Sequence, residues 1–219
     1  MQPTQRRKRT KPVKIMCQPH IVAALRFAED WHAPRYWEWW EPRRAAALAI
    51  SDAAARRHAL AELYDERDAL VEAGELIDGL SPQVVPALEA ELDRRIYRGQ
   101  TWRARNWPEV PANAGRIPGR RWGSAGNPAR DWTEPLQLRL PVELHEVLQR
   151  ATYKVSASSV SKLQQLAVDY PGPTPPPAIR QRIGKLQAKV VTIGDVVRAA
   201  AAVTAAPWFP TVQAPPHER

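Results

Sequence analysis

Five residues, Leu136-Gln137-Leu138-Arg139-Leu140, alternate strictly between apolar and polar, and Pro141 follows them. A period of two admits one local structure, a strand with one buried and one solvated face. The three leucines therefore turn to a core, and Gln137 and Arg139 turn away from it. After Pro141 the apolar residues Val142, Leu144, Val147, Leu148 and Ala151 change to helical spacing. Tyr153-Lys154-Val155 reads as a break, with Ser156 or Ser158 capping a second helix that carries Val160, Leu163, Leu166 and Ala167. Pro171-Gly172-Pro173 and the prolines at 175–177 form a stiff connector. Two helices are expected beyond it, from Ile179 to about Ala188 and from a Thr192 cap through Ile193, Val196, Val197 and Ala200. The tail from Pro207 is Pro-rich and reads as disordered.

The same design occurs near the start of the chain. Lys11-Pro12-Val13-Lys14-Ile15-Met16-Cys17-Gln18-Pro19 again alternates and again runs through Pro into a helical pattern, with Ile21, Val22, Ala24, Leu25 and Ala28 on its apolar side. Val13, Ile15 and Cys17 share one face, and Lys14, Met16 and Gln18 the other. The two segments could pair within one chain as a pseudo-dimeric ribbon, although two short alternating stretches also match by chance. Trp31 to Trp40 reads as a loop holding four of the nine Trp. From Pro42 an Ala-rich helix runs to Gly74 or Gly79, and Ser81-Pro82 opens another toward Gly99, so residues 42–97 are expected as a helical hairpin. The predicted class is mainly α with short β-strands.

Charge is partitioned along the chain. The formal net charge is +9, from 32 Lys+Arg against 23 Asp+Glu. Residues 1–14 contribute +6 through Arg6, Arg7, Lys8, Arg9, Lys11 and Lys14, whereas residues 41–97 contribute −5. Residues 98–132 contribute +5 and combine seven Arg with four Trp, five Gly and four Pro. A basic arm suits a polyanion, because each cation placed on a phosphate releases a counterion; a solvated tail is the alternative. The segment 98–132 is either a linker whose Trp residues dock back on the folded regions, the simpler reading, or an Arg/Trp stretch that orders on nucleic acid. The organisation expected is a basic arm (1–11), an N-terminal strand and helical region (12–97), a linker (98–132), a helical DNA-binding region (133–206) and a tail (207–219).

The order strand, Pro, amphipathic helix, turn, Ser-capped helix over residues 134–170 resembles the ribbon-helix-helix family of DNA-binding domains. In that family two chains pair their strands, and the ribbon enters the major groove. The resemblance implies that Gln137 and Arg139 contact bases, and that the protein is a homodimer or higher oligomer. Independently of it, Gln can pair with adenine and Arg with guanine in the major groove. A helix starting near Ser158 and Ser159 would present free backbone N–H groups to a phosphate. Further phosphate contacts are expected from Arg6, Arg7, Lys8, Arg9, Lys11 and Lys14.

Enzyme signatures are weak. Ser159-Val160-Ser161-Lys162 matches Ser-x-x-Lys, but the Ser-Asp-Asn and Lys-Thr-Gly partner motifs do not occur. The five His show no metal-ligand spacing, and no phosphate loop or dinucleotide fingerprint is found. One cysteine excludes a disulfide framework and a Cys-based zinc site. No apolar run reaches the roughly 20 residues of a membrane span, and no signal-type segment follows the basic start. Ala- and Arg-rich usage is typical of high-GC bacteria and their phages and plasmids. The expectation is a cytoplasmic, non-catalytic DNA-binding protein without cofactor or metal, acting in transcription regulation, partition or transfer of a mobile element. The rival reading is a structural or assembly protein that uses the acidic hairpin and the Trp clusters for protein contacts.

Overall fold

A computed structural model describes residues 9–96, 107–110, 116–117, 120–121, 132–172 and 174–209. The element order is β1 (Thr10–Cys17), α1 (Pro19–Leu48), α2 (Ala53–Glu72), α3 (Leu80–Ile96), the two-residue strands β2 (Arg116–Ile117) and β3 (Arg120–Arg121), β4 (Glu134–Pro141), α4 (Val142–Asp169), α5 (Pro177–Gln187) and α6 (Ile193–Ala205). The protein is mainly helical with short strands. β1 and β4 pair antiparallel with each other, so the ribbon forms within one chain.

The register explains why these strands tolerate three prolines. Pro12 lies opposite Arg139, Pro135 opposite Met16, and Pro141 opposite Thr10. At the Pro12–Arg139 pair, the Arg139 N–H turns away from β1 and donates to Ser81 Oγ at 2.8 Å. In an antiparallel ladder every second pair has this outward orientation. All three prolines occupy such pairs, where their missing N–H costs no ladder bond. Helix residues occupy the outer edge of each strand: Ser81 takes the β4 edge, and Arg198 Nη1 donates to Met16 O on the β1 edge at 3.3 Å. Each edge thus carries one side-chain contact from a helix, at Arg139 on β4 and at Met16 on β1.

One core lies beneath the ribbon. It takes Val13, Ile15 and Cys17 from β1, Leu136, Leu138 and Leu140 from β4, Leu25 from α1, Leu88 and Leu92 from α3, Leu144 and Leu148 from α4, and Val196, Val197 and Ala201 from α6. The regions 12–97 and 133–206, expected as separate, therefore share a single interior. The order strand, long helix, middle helix, core helix occurs twice, and the two sets cross over. α3 packs on α6, α3 also packs on β4 and α4, and α6 packs on β1 and α1. The two long helices extend past this core, and each is covered by its own middle helix, α2 on α1 and α5 on α4.

Four sequence expectations are corrected. Trp31–Trp40 is helical and belongs to α1, which also contains Pro34 and Pro42. Here tertiary packing overrides local propensity: Trp40 is buried, its ring centroid is 5.2 Å from that of Tyr64 in α2, and the Arg67 guanidinium lies 5.7 Å from its centre. The helical hairpin is consequently made by α1 and α2, and α3 joins the central core instead of pairing with α2. The turn expected at Tyr153-Lys154-Val155 is absent, because α4 runs unbroken to Asp169. Thr152 Oγ1 donates to Leu148 O at 2.7 Å, and buried Ser156 Oγ donates to Val191 O and accepts from Val191 N, at 3.2 and 2.9 Å. Hydroxyl groups that usually favour helix ends are satisfied here inside a helix. Finally, residues 207–209 of the expected disordered tail are placed. Trp208 packs near Phe27, Trp31 and His32, and Phe209 near His20.

Candidate nucleic-acid interface

Because side chains alternate along a strand, the ribbon presents every second residue away from the core. Thr10, Pro12, Lys14, Pro135, Gln137 and Arg139 are exposed on that face, and Met16 is half-buried. Lys14 lies opposite Gln137, and Arg139 opposite Pro12. The leucines between them are buried, as the alternation requires. The side chains of Lys14 and Arg139 form no ion pair with any described residue, so both cations face solvent. A two-stranded ribbon fits the major groove of B-DNA in width. The face it offers here carries two cations, Lys14 and Arg139, and no acidic residue, among three apolar positions, Pro12, Met16 and Pro135.

The other expected contact residues fare differently. Arg9 is exposed, and its carbonyl accepts from Val142 N at 3.0 Å, which ties the start of the arm to the start of α4. Lys11 sits on the opposite parity from Lys14 and reaches Glu146 Oε1 at 3.5 Å, so its charge is already partnered. Ser158 and Ser159 lie inside α4. The helix start that would have freed their backbone N–H groups does not exist, and the reason for expecting phosphate there goes with it. Arg6, Arg7 and Lys8 lie outside the described residues.

Sequence reasoning missed the group that fixes the β1 side of the ribbon. Arg198 is buried, pairs with Asp195 Oδ1, donates to Met16 O, and lies 3.6 Å from the centre of the Trp132 ring. Asp195 also completes a capping box with Thr192. The i,i+3 spacing of Asp195 and Arg198 was the available signal. Trp132 and Trp107, both from the segment expected as a linker, dock back on the fold. Trp107 is buried in the main core, and its carbonyl accepts from Arg150 at 3.5 Å.

Two titratable groups lie beneath the ribbon. Burial pushes the Cys17 thiol up to about 11, against the opposing influence of Arg198. His145 on α4 is held below its ordinary value, first by burial and then by the positive charge of Lys11, with Glu146 partly opposing. Its Nδ1 is buried and has no hydrogen-bond partner among the described residues. No group of three His, Cys, Asp or Glu among the described residues could hold a metal ion. No described helix is long and apolar enough to cross a membrane.

No family model, no curated protein and no solved structure matches the chain.

Proposed function

We propose that the protein binds duplex DNA without catalysing a reaction on it, by laying the β1–β4 ribbon in the major groove with Gln137 and Arg139 as base readers. The observation that carries this reading is the exposed cationic face of a two-stranded antiparallel ribbon whose other face is buried. Lys14 joins the two readers at the centre of that face. The ribbon is the element that the resemblance to the ribbon-helix-helix family makes functional. The arm before β1 supplies phosphate contacts through Arg6, Arg7, Lys8 and Arg9. A cytoplasmic repressor, or a partition or transfer accessory of a mobile element, is the role that fits such binding. The test is affinity on a selected site and on random duplex. A bidentate Arg–guanine contact is worth roughly 1–3 kcal/mol of discrimination. Arg139→Ala should weaken binding by about that much on the selected site and by much less on random DNA. An equal effect on both would reduce Arg139 to a phosphate contact, and no effect on either would remove the ribbon from the interface.

A second reading, a structural or assembly protein, is favoured by one observation. Trp31 and Trp37 on α1 are 66% and 52% exposed, and exposed indoles are common at protein contacts. The two readings separate on whether DNA binding shows sequence preference.

A further inference from the structure

The strand and the start of the long helix in the two halves of the chain correspond at one constant offset. Val13, Ile15 and Cys17 of β1 match Leu136, Leu138 and Leu140 of β4. The same offset carries Ile21, Leu25 and Ala28 of α1 onto Leu144, Leu148 and Ala151 of α4, and all twelve are buried. It also places the first residue of α1, Pro19, on the first residue of α4, Val142. A second constant offset relates Val84, Leu88 and Leu92 of α3 to Val197, Ala201 and Ala205 of α6, again all buried. The edge contacts fall on equivalent strand positions, Met16 and Arg139, but the helix residues that make them differ. Ser81 accepts from Arg139 N, whereas Arg198 donates to Met16 O, and the second offset matches neither residue to the other. On the exposed face the offset pairs Pro12 with Pro135, Lys14 with Gln137, and Met16 with Arg139. Lys14 and Gln137 are also direct cross-strand neighbours. An approximate two-fold axis therefore passes between them, normal to the ribbon.

We infer that one chain is a complete, fused counterpart of a two-fold dimer and reads a single non-palindromic DNA site as a monomer, with Arg139 and Met16 as unlike readers on the two sides of its axis. This inference rests on the DNA-binding reading above. A protein with exact two-fold symmetry recognises a site of matching symmetry. Here the core is symmetric and the reading face is not. Arg139 offers paired donors to guanine on one side of the axis, whereas Met16 offers only an apolar surface, suited to a thymine methyl, on the other. At the centre, Lys14 and Gln137 differ in charge. A second copy is not needed to build the ribbon, because both of its strands come from one chain.

The test is selection of sites from a random duplex pool with the full chain, followed by stoichiometry on the selected duplex. The expected result is one asymmetric consensus, with guanine on one side only, bound by one chain. Met16→Arg restores the symmetry of the reading face. It should shift selection toward an inverted repeat carrying guanine on both sides, with a gain of about 5- to 150-fold on that repeat, the fold-change equivalent of one bidentate contact. The backbone carbonyl at position 16 keeps its bond to Arg198 in this variant, and an unchanged melting temperature verifies the fold. Arg139→Met should abolish the guanine preference. Selection of an inverted repeat by two wild-type chains would overturn the inference and leave DNA binding standing. A selected pool without sequence preference would overturn both.

Discussion

At the scale of single residues, the ribbon separates cleanly into side chains that hold the fold and side chains that face outward. Leu138 is 1% exposed and lies opposite Val13 in the register. Truncating such a leucine removes its burial and leaves a cavity, which typically costs about 2–5 kcal/mol. Leu138→Ala should therefore lower stability by that amount in urea unfolding, while Arg139→Ala one residue away stays within about 0.5 kcal/mol of wild type, as exposed substitutions usually do. Equal effects at the two positions would contradict the assignment of faces. The Cys17 thiol, fully buried and raised to about 11, stays protonated at neutral pH. It should resist alkylation in the native protein and react rapidly in denaturant; comparable rates in both would place Cys17 at the surface. For His145 the sign is set by its lowered pKa. Below its ordinary value of 6.5 the unfolded chain takes up a proton that the folded chain resists. Stability conferred by neutral His145 is complete above that value and declines as pH falls through it. A urea series across this range should show the decline, and His145→Gln should flatten it.

At the scale of elements, sequence period told strand from helix more reliably than it told where helices stop. Both strands were legible, because alternation has no other explanation, and the Thr192 cap was legible from its residue type. The length of α4 was not. Tyr153-Lys154-Val155 before Ser156 read as a helix break from local preferences, whereas the buried hydroxyls of Thr152 and Ser156 are satisfied inside the helix by bonds to Leu148 and Val191. The same limit applied to Trp31–Trp40, whose helical state depends on α2 and on Trp208 packing against it. Of the residues on the exposed ribbon face, the outward placement of Gln137 and Arg139 was legible from alternation alone. The partnership of Lys11 with Glu146 was not, since it joins residues distant in sequence. The crossing of α3 and α6 yields a further prediction. α6 brings the small residues Ala200, Ala201 and Ala205, all fully buried, to a core where α3 brings Val84, Leu88 and Leu92. Ala201→Leu should overpack that crossing and cost about 1–3 kcal/mol. A neutral result would mean that the helices do not meet closely there.

On the scale of the whole molecule, the family resemblance implied a homodimer or higher oligomer, whereas both strands of the ribbon here come from one chain. The full protein should sediment as a monomer in the absence of DNA. Its net charge of +9 is distributed so that the acidic stretch falls largely in the α1–α2 arm and α3, whereas the N-terminal arm and the exposed ribbon face are basic. DNA affinity should accordingly fall with salt. Removal of residues 1–8, which leaves β1 whole, should flatten that dependence by about 0.9 in log–log slope for each phosphate that the arm neutralises. An unchanged slope would give the arm no part in binding. The central claim, that DNA lies on the exposed face of the ribbon, can be tested most directly through the lone buried cysteine, because a single cysteine introduced elsewhere becomes the only reactive thiol. Alkylation rates of Gln137→Cys and of His58→Cys, the latter on exposed α2, should be compared with and without saturating duplex. The account predicts strong protection by DNA at position 137 and none at position 58; protection at 58 with position 137 still reactive in the complex would contradict it.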